Sequence, residues 1–335
     1  MRLKTIITTL ALVCTLPTAS FAQVEKSLCI YDPAGKDGAL FGVMKEYQLE
    51  ALNLGVKFKL VPQTNEKTAA DEFRAKQCDA VLITGTRARP FHKLGGTFEA
   101  MGALPTYKLL RKAIKAFSKK KAAGFMKNGE YENAGIFPAG AVYLFVRDKN
   151  INSVEALAGK RLATLTFDEA AKTMVDKVGA SMVAADISTF HSMFNNGAVD
   201  ACYSPAFGYQ ALELFKGIGG TGGVIRYPLA QMTMQLLIRT ADGYPEGFAQ
   251  KSRKLAYKAR KKSIKMAKKA EKSIPDKHWI DISDEDKARY DDMFQKVRIE
   301  LRDTQKVYDG TALQVFRQIR CKANPLRPEC ELKQE

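Results

Sequence analysis

Short apolar runs alternate with helix-patterned stretches in two successive series, and this order constrains the fold more than any other feature of the chain. Ser27–Tyr31 reads as a strand, Asp32-Pro33-Ala34-Gly35 as a turn, and the stretch near Gly38–Leu52 as a helix. Val56–Val61 is a second strand, Glu66–Lys76 a helix and Asp79–Thr84 a third strand. A βαβαβ order predicts a parallel sheet flanked by helices. Thr106–Lys121 follows as a basic helix and Ala141–Val146 as a returning strand. After a crossing at Arg147–Asn152 the series repeats, with strands at Lys160–Leu165, Ser181–Ala185 and Ala198–Tyr203 and helices at Asp168–Val178 and Ile187–Asn195. Gly222–Tyr227 and Met232–Arg239 look like return strands. The glycine-rich Gly217–Gly223 lies between a helix and a strand and reads as a helix stop and turn. It lacks the Lys-Ser/Thr of a phosphate loop. The expected fold is α/β with two lobes and a central cleft, lobe 1 at 23–145 and lobe 2 at 146–227. Residues 228–335 would supply return strands and C-terminal helices packing on the lobes. Everything after Tyr244 is expected to be helical, with a long basic helix, a second near Asp284–Tyr308 and a short one near Thr311–Arg320. Ser283 with Asp286 three residues on forms a capping box for the second.

The start of the chain has a different character. Arg2 and Lys4 precede an apolar run from Thr5 to Leu16, and Ser20-Phe21-Ala22 precedes Gln23. A basic start, a short apolar middle and small residues at −3 and −1 predict a secretory signal peptide over residues 1–22, cleaved after Ala22. Val13 stands before Cys14 where a lipoprotein signal requires a small residue, which argues against a lipid anchor. No later stretch holds the run of about 18 apolar residues that a spanning helix needs. The expected product is exported to the periplasm, and channels, pumps and integral transporters are excluded.

An exported chain is permitted disulfides. Beyond the signal segment lie Cys29, Cys78, Cys202, Cys321 and Cys330, an odd number. Cys321 and Cys330 flank a short loop containing Pro325 and Pro328 and are the favoured pair. Cys29 and Cys78 lie on expected neighbouring strands and are candidates for a second. The three histidines are scattered and no CxxC or Cys/His spacing suggests zinc, so neither metal nor cofactor is expected.

The formal charge is +17, of which Arg2 and Lys4 contribute two, leaving about +15 for the remainder. Such an excess could serve nucleic acid, an anionic membrane surface or small anionic solutes. Lys251–Lys272 carries eleven Lys/Arg against the single Glu271. Along it Phe248, Ser252, Leu255, Ala259, Ser263, Met266, Ala270 and Ile274 recur every three or four residues, a narrow apolar stripe on a lysine-covered helix. This predicts a helix packed on the body with a solvated basic face; contact with an anionic membrane is the alternative. No nucleic-acid motif or interleaved aromatic platform accompanies it, so nucleic acid is not an expected partner.

Open α/β sheets bind ligands beyond the carboxyl ends of their strands. Those ends place Asp32, Thr84 and Arg87 opposite Thr166, Phe167, Tyr203, Ser204 and Phe207, with Gln231 at the start of a return strand. Phe167, Tyr203 and Phe207 would supply apolar walls, and the polar groups orientation. No catalytic residue is assigned: there is no Gly-x-Ser-x-Gly elbow and no His-Glu-x-x-His motif. Cys202 with His191 reads better as a buried strand residue and a helix-surface histidine than as a nucleophile and base.

Thr189–Pro205, TFHSMFNNGAVDACYSP, resembles the helix followed by Gly-x-Val-Asp-Gly-x-Glu-Asn-Pro of the periplasmic solute-binding proteins of tripartite ATP-independent (TRAP) transporters. Ala158-Gly159-Lys160-Arg161-Leu162-Ala163 is similar to that family's Leu-Lys-Gly-x-Lys-x-Arg-Val approach to the second lobe. Leu104-Pro105 and Tyr244-Pro245 also fit. The resemblance implies the two-lobed periplasmic binding protein fold, followed by a long-helix C-terminal region. It implies a monomer that captures a small anionic or polar organic solute for an integral membrane transporter. Two arginines that hold carboxylates in the family fall on Ala163 and Phe137, and Ser204 stands where Asn is usual. Arg87 or Arg161 would have to substitute in holding an acid. The chain is also similar to exported proteins labelled RND-type efflux components linked to aminoglycoside resistance. This leaves a second reading, an envelope interaction protein, such as an efflux accessory in antibiotic resistance, docking its basic helix on a membrane complex or anionic lipid.

Overall fold

The computed structural model describes residues 23–335. The expected signal segment, its cleavage point after Ala22 and Cys14 lie outside the described residues.

In the first series, β1 (Val24–Tyr31), α1 (Ala39–Leu52), β2 (Val56–Gln63), α2 (Glu66–Arg74) and β3 (Ala80–Thr84) follow one another. β1 pairs in parallel with both β2 and β3. Two short helices, α3 (Gly85–Ala88) and α4 (Lys93–Gly96), lead to α5 (Tyr107–Phe117), and short β4 (Lys127–Asn128) leads into β5 (Tyr131–Val146). The second series repeats the plan with β6 (Arg161–Leu165), α6 (Glu169–Lys177), β7 (Ser181–Ala185), α7 (Phe190–Asn195) and β8 (Ala201–Pro205). Short helices α8 (Gly208–Ala211) and α9 (Phe215–Ile218) precede β9 (Gly223–Ile225) and β10 (Ala230–Arg239). The sheet runs β2-β1-β3-β10-β5-β8-β6-β7, so the 2-1-3 order of the first lobe recurs as 7-6-8 in the second.

Two long antiparallel strands join the lobes. β10 pairs with β3 and β5 over its last residues and continues alongside β5 through Ala230↔Val142, while β5 goes on to pair with β8. The sequence pattern predicts only Ala141–Val146 here, because Gly135, Pro138 and Gly140 punctuate the rest. The strand nonetheless starts at Tyr131. A register shift beside Pro138 absorbs the missing N–H. Gly135 lets α10 (Phe248–Lys272) approach closely: a side chain there would stand 3.0 Å from the Ala256 methyl. Gly140, at φ +131°, adopts a backbone that side-chain-bearing residues avoid.

α10 buries Phe248, Ser252 and Ser263 of the predicted stripe, half-buries Leu255, Ala259, Met266 and Ala270, adds Ala256 and Ala267 to the buried face, and leaves its lysines exposed. Its one acid has a structural task. Tyr107 Oη donates to Glu271 Oε1 at 2.6 Å and Tyr143 Oη does so at 2.9 Å. Beyond it, β11 (Trp279–Ile280) pairs with β9, so the C-terminal region is not wholly helical as its sequence suggests; two residues are too few for a period to show. α11 (Asp284–Asp303) starts at the expected cap, where Ser283 Oγ accepts from the Asp286 amide at 3.0 Å. α12 (Gly310–Ala323) and α13 (Glu329–Leu332) complete the chain. Phe294 and Phe316 of α11 and α12 share a core with Phe98, Leu162 and Met174, so these helices pack on both lobes.

Cys321 and Cys330 lie at disulfide distance, Cα–Cα 5.6 Å, as do Cys29 and Cys78 at 5.9 Å. Next to the first pair, buried Arg298 and Arg320 meet Glu329 and Glu335. Arg320 holds Glu329 with two bonds of 2.7 Å. Among the described residues, no helix is long and apolar enough to cross a membrane.

Candidate functional site

A cavity of about 470 Å³ lies between the lobes, where the carboxyl ends of β1, β3, β6 and β8 converge at Tyr31, Thr84, Leu165 and Tyr203–Pro205. The joining strand β10 contributes Ala230, Met232 and Met234, and Tyr308, in the turn between α11 and α12, also borders it. Most of the wall is apolar: Met101, Val142, Phe167, Ala170, Ala171, Met174, Phe190, Phe207 and Leu229. Strand ends converge here because the parallel arrangement points every β-to-α turn of a lobe the same way.

Three acids interrupt the apolar wall. Glu66, at the first turn of α2, is 1% exposed and accepts the Thr84 amide at 2.7 Å on Oε1. Burial raises its pKa; the Thr84 bonds and Arg87 counter only part of that. Glu99 accepts amide protons from Gly85 at 2.9 Å, Thr86 at 2.7 Å and Thr233 at 2.8 Å, tying β10 to the turn after β3. Burial raises its pKa as well. Asp168 caps α6 by accepting from the Ala171 amide at 3.3 Å.

Two arginines cross the cleft to reach the second lobe. Arg89 Nη1 donates to Asp168 Oδ1 at 3.1 Å, with both side chains one-tenth exposed. Burial opposes the Arg89 charge, but Tyr308, Asp168 and Glu99 outweigh it and raise its pKa. The Arg87 guanidinium stacks 3.3 Å from the centre of the Phe167 ring, and its Nε lies 3.6 Å from Glu66 Oε2. Each lobe thus grips the other through one ion pair and one cation–π contact.

Of the residues predicted from sequence, Thr84, Phe167, Tyr203, Ser204 and Phe207 border the cavity, as does His191. Asp32, Arg87, Thr166 and Gln231 do not. Asp32 has its oxygens occupied, accepting from Ala34 at 3.0 Å, Leu40 at 2.9 Å and Phe41 at 3.1 Å, and so builds the turn into α1. Thr166 faces solvent while its amide donates to Ala185 O at 3.2 Å. Gln231 is buried between Ala230 and Met232, which border the cavity, and strand alternation sends it to the opposite face. Arg87 stands behind Phe167 rather than in the wall. Arg161 lies on an exposed edge, gripping Asp200 at 2.7 and 3.1 Å. Ala163 and Phe137, where the resemblance implies arginines, are buried core residues. Cys202 is fully buried, and burial raises its thiol pKa.

Sequence reasoning missed Glu66, Arg89, Glu99 and Asp168. Asp168 and Glu66 were within its reach, each three residues past a strand end. Glu99 and Tyr308 were not, because the short helices after β3 and the return of the C-terminal segment carry no periodic signal.

The chain's relatives agree with this architecture. The sequence pattern of the family described as solute-binding protein AdeT 1/2 matches residues 50–335. A probable solute-binding protein, AdeT1 of Acinetobacter baumannii, is 36% identical over 306 residues, covering 91% of this chain and 100% of that one. Among solved structures, a TRAP periplasmic solute-binding protein from Rhodoferax ferrireducens with bound malonate aligns at TM-score 0.71 and 14% identity, over 90% of this chain and all (100%) of that one. One from a Sulfitobacter species with bound β-D-galacturonate aligns at TM-score 0.70 and 13% identity, over 88% and 100%. These structures share the two-lobed α/β fold with the chain. With a family pattern matched over most of its length and a full-length relative above the threshold of chance, the chain belongs to the AdeT 1/2 family of solute-binding proteins.

Proposed function

We propose that the protein captures a small organic solute in the interlobe cavity, in the periplasm, and presents it to an integral membrane transporter without transforming it. The observation that carries this reading is the interlobe cavity itself. Its walls come from strand ends of both lobes, and side chains of one lobe clasp the other at Arg89–Asp168 and Arg87–Phe167. A volume of about 470 Å³ falls within the range that small-molecule sites occupy. Structures sharing the fold hold malonate and galacturonate, which supports small organic solutes as a class. The protein acts as a monomer in this reading, after removal of residues 1–22.

Native mass spectrometry of protein purified from the periplasm tests it. Wild-type protein is expected to carry a non-covalent small-molecule mass on a polypeptide starting at Gln23. Met232→Trp, which fills the cavity from β10, should abolish that mass while keeping a cooperative melt. Lys262→Ala, on the exposed face of α10, should retain it. Loss of the solute from Lys262→Ala and retention by Met232→Trp would move binding to the basic helix and favour the envelope-docking reading.

A further inference from the structure

None of the residues lining the interlobe cavity comes from α5 or α10. On α10, Lys254, Lys258, Lys261 and Lys265 recur at three- and four-residue spacing and form one ridge, opposite the buried Ser252, Ala256 and Ser263. All four are exposed and, among the described residues, none has a carboxylate partner. Lys262, off the ridge, pairs with Glu46. On α5, Lys108 and Lys115 likewise stand exposed and unpaired, opposite the buried Leu110, Ala113 and Phe117. α11 shows the ordinary arrangement: Lys287 and Lys296 meet Asp284 and Asp292 at 2.8 and 2.7 Å. Like charges three or four residues apart destabilise a helix, so an acid-free ridge calls for a counter-charge from outside the chain.

The fold lays the two ridges side by side. Gln250 Nε2, at the start of α10, donates to Ser118 O at the end of α5 at 2.7 Å, and Tyr107, at the start of α5, reaches Glu271 near the end of α10. The helices therefore run antiparallel. Both also bond to β5: Ser252 donates to Ala134 O at 2.6 Å, and the Ala141 amide donates to Tyr107 Oη at 3.0 Å. Their exposed faces thus turn away from the sheet together, as a two-row basic plate that α10 alone extends over about 37 Å.

At the far edge of α5 the surface changes character. A groove of about 650 Å³ between α5 and α12 is floored by Ala116, Ala122, Val315 and Ile319 and rimmed by Lys112, Lys121 and Lys322. Phe125 also lines it and is 52% exposed. A half-exposed aromatic ring beside lysines suits a bilayer interface, where the ring meets apolar carbon and the ammonium groups meet lipid phosphates. A soluble polyanion such as heparin supplies the charge but no apolar layer for Phe125 and the groove.

We propose that the α5–α10 plate, with Phe125 at its edge, docks the protein on an anionic lipid bilayer and leaves the interlobe cavity free to fill.

Vesicle co-sedimentation of the protein lacking residues 1–22 tests this in about 0.1 M salt. One set of vesicles is phosphatidylcholine alone, and the other contains about one-third phosphatidylglycerol. The anionic vesicles are expected to bind at least about tenfold more tightly. Lys258→Gln/Lys261→Gln/Lys265→Gln should lose most of that advantage. Lys216→Gln/Lys287→Gln/Lys296→Gln, which removes the same charge elsewhere, should keep binding within about threefold of wild type. Phe125→Ser should weaken binding to anionic vesicles and leave binding to heparin unchanged. Equal losses in the two triple variants, both melting as wild type does, would make net charge the cause and overturn the plate. Equal affinity for neutral vesicles would overturn it as well. Heparin binding without vesicle binding would assign the plate to a soluble polyanion and overturn the membrane.

Discussion

Glu329 sits among the guanidinium groups of Arg298, Arg320 and Arg327. Burial pushes its carboxyl up, but the bonds and charges of Arg320, Arg298 and Arg327 outweigh that and bring its pKa down to about 2 from an ordinary 4.5. Because the folded value is depressed, the stabilisation is fully present above about pH 4.5 and disappears as pH falls toward 2. The shift corresponds to about 3 kcal/mol. Glu329→Gln is expected to lower stability at pH 7 by about that amount and to flatten the pH dependence between 5 and 2, read by urea denaturation across that range. An unchanged acid limb would mean that another group controls it. The contrast between Asp32 and Asp168 shows how far single residues could be read. Both follow a strand and both carry a carboxylate, so residue type and position do not separate them. Asp32 turns inward onto the amides of α1, whereas Asp168 borders the cavity and reaches Arg89, a residue of the other lobe. Such partners, distant in sequence, have no local signature.

α10 was the most readable element, because a stripe recurring every three or four residues survives whatever it packs against. What the stripe did not convey is that the isolated acid among the lysines is the anchor. Glu271→Ala removes the acceptor of both the Tyr107 and Tyr143 hydroxyls and is expected to cost about 1–3 kcal/mol. Lys262→Ala, whose partner Glu46 is also exposed, should change stability by less than about 1 kcal/mol. Equal melting shifts for the two would show that Glu271 is only another surface charge. The Cys321–Cys330 link closes the loop leading into α13, next to the Arg320–Glu329 pair. Peptide mapping without reduction should recover the two cysteines joined, and Cys321→Ser should cost roughly 2–3 kcal/mol. β5 shows the converse of α10. Its first half was hidden by Gly135, Pro138 and Gly140, which locally read as a turn and which the sheet accommodates through a register shift and a close helix contact.

At the scale of the molecule, the duplicated α/β order was legible because each series repeats local patterns. The way the lobes join was not, since β5 and β10 belong to both and only their pairing reveals it. The contacts across the cleft should set how open the empty protein is. Arg89→Ala removes the Asp168 pair and is expected to increase the radius of gyration of ligand-free protein in small-angle scattering. Addition of a bound solute should reverse the increase. An unchanged radius would mean that this pair does not hold the cleft. The strand order also has a consequence for biogenesis. β10 fills the gap between β3 and β5, yet it is made about 150 residues after β3 ends, on the order of ten seconds later during synthesis. Until Arg239 has emerged, β3 and β5 both present open edges to other chains. A nascent chain stalled anywhere in between carries two templates for mispairing, so β10 must arrive before the first lobe can seal, and a fragment ending at residue 229 should aggregate rather than fold into half a binding protein.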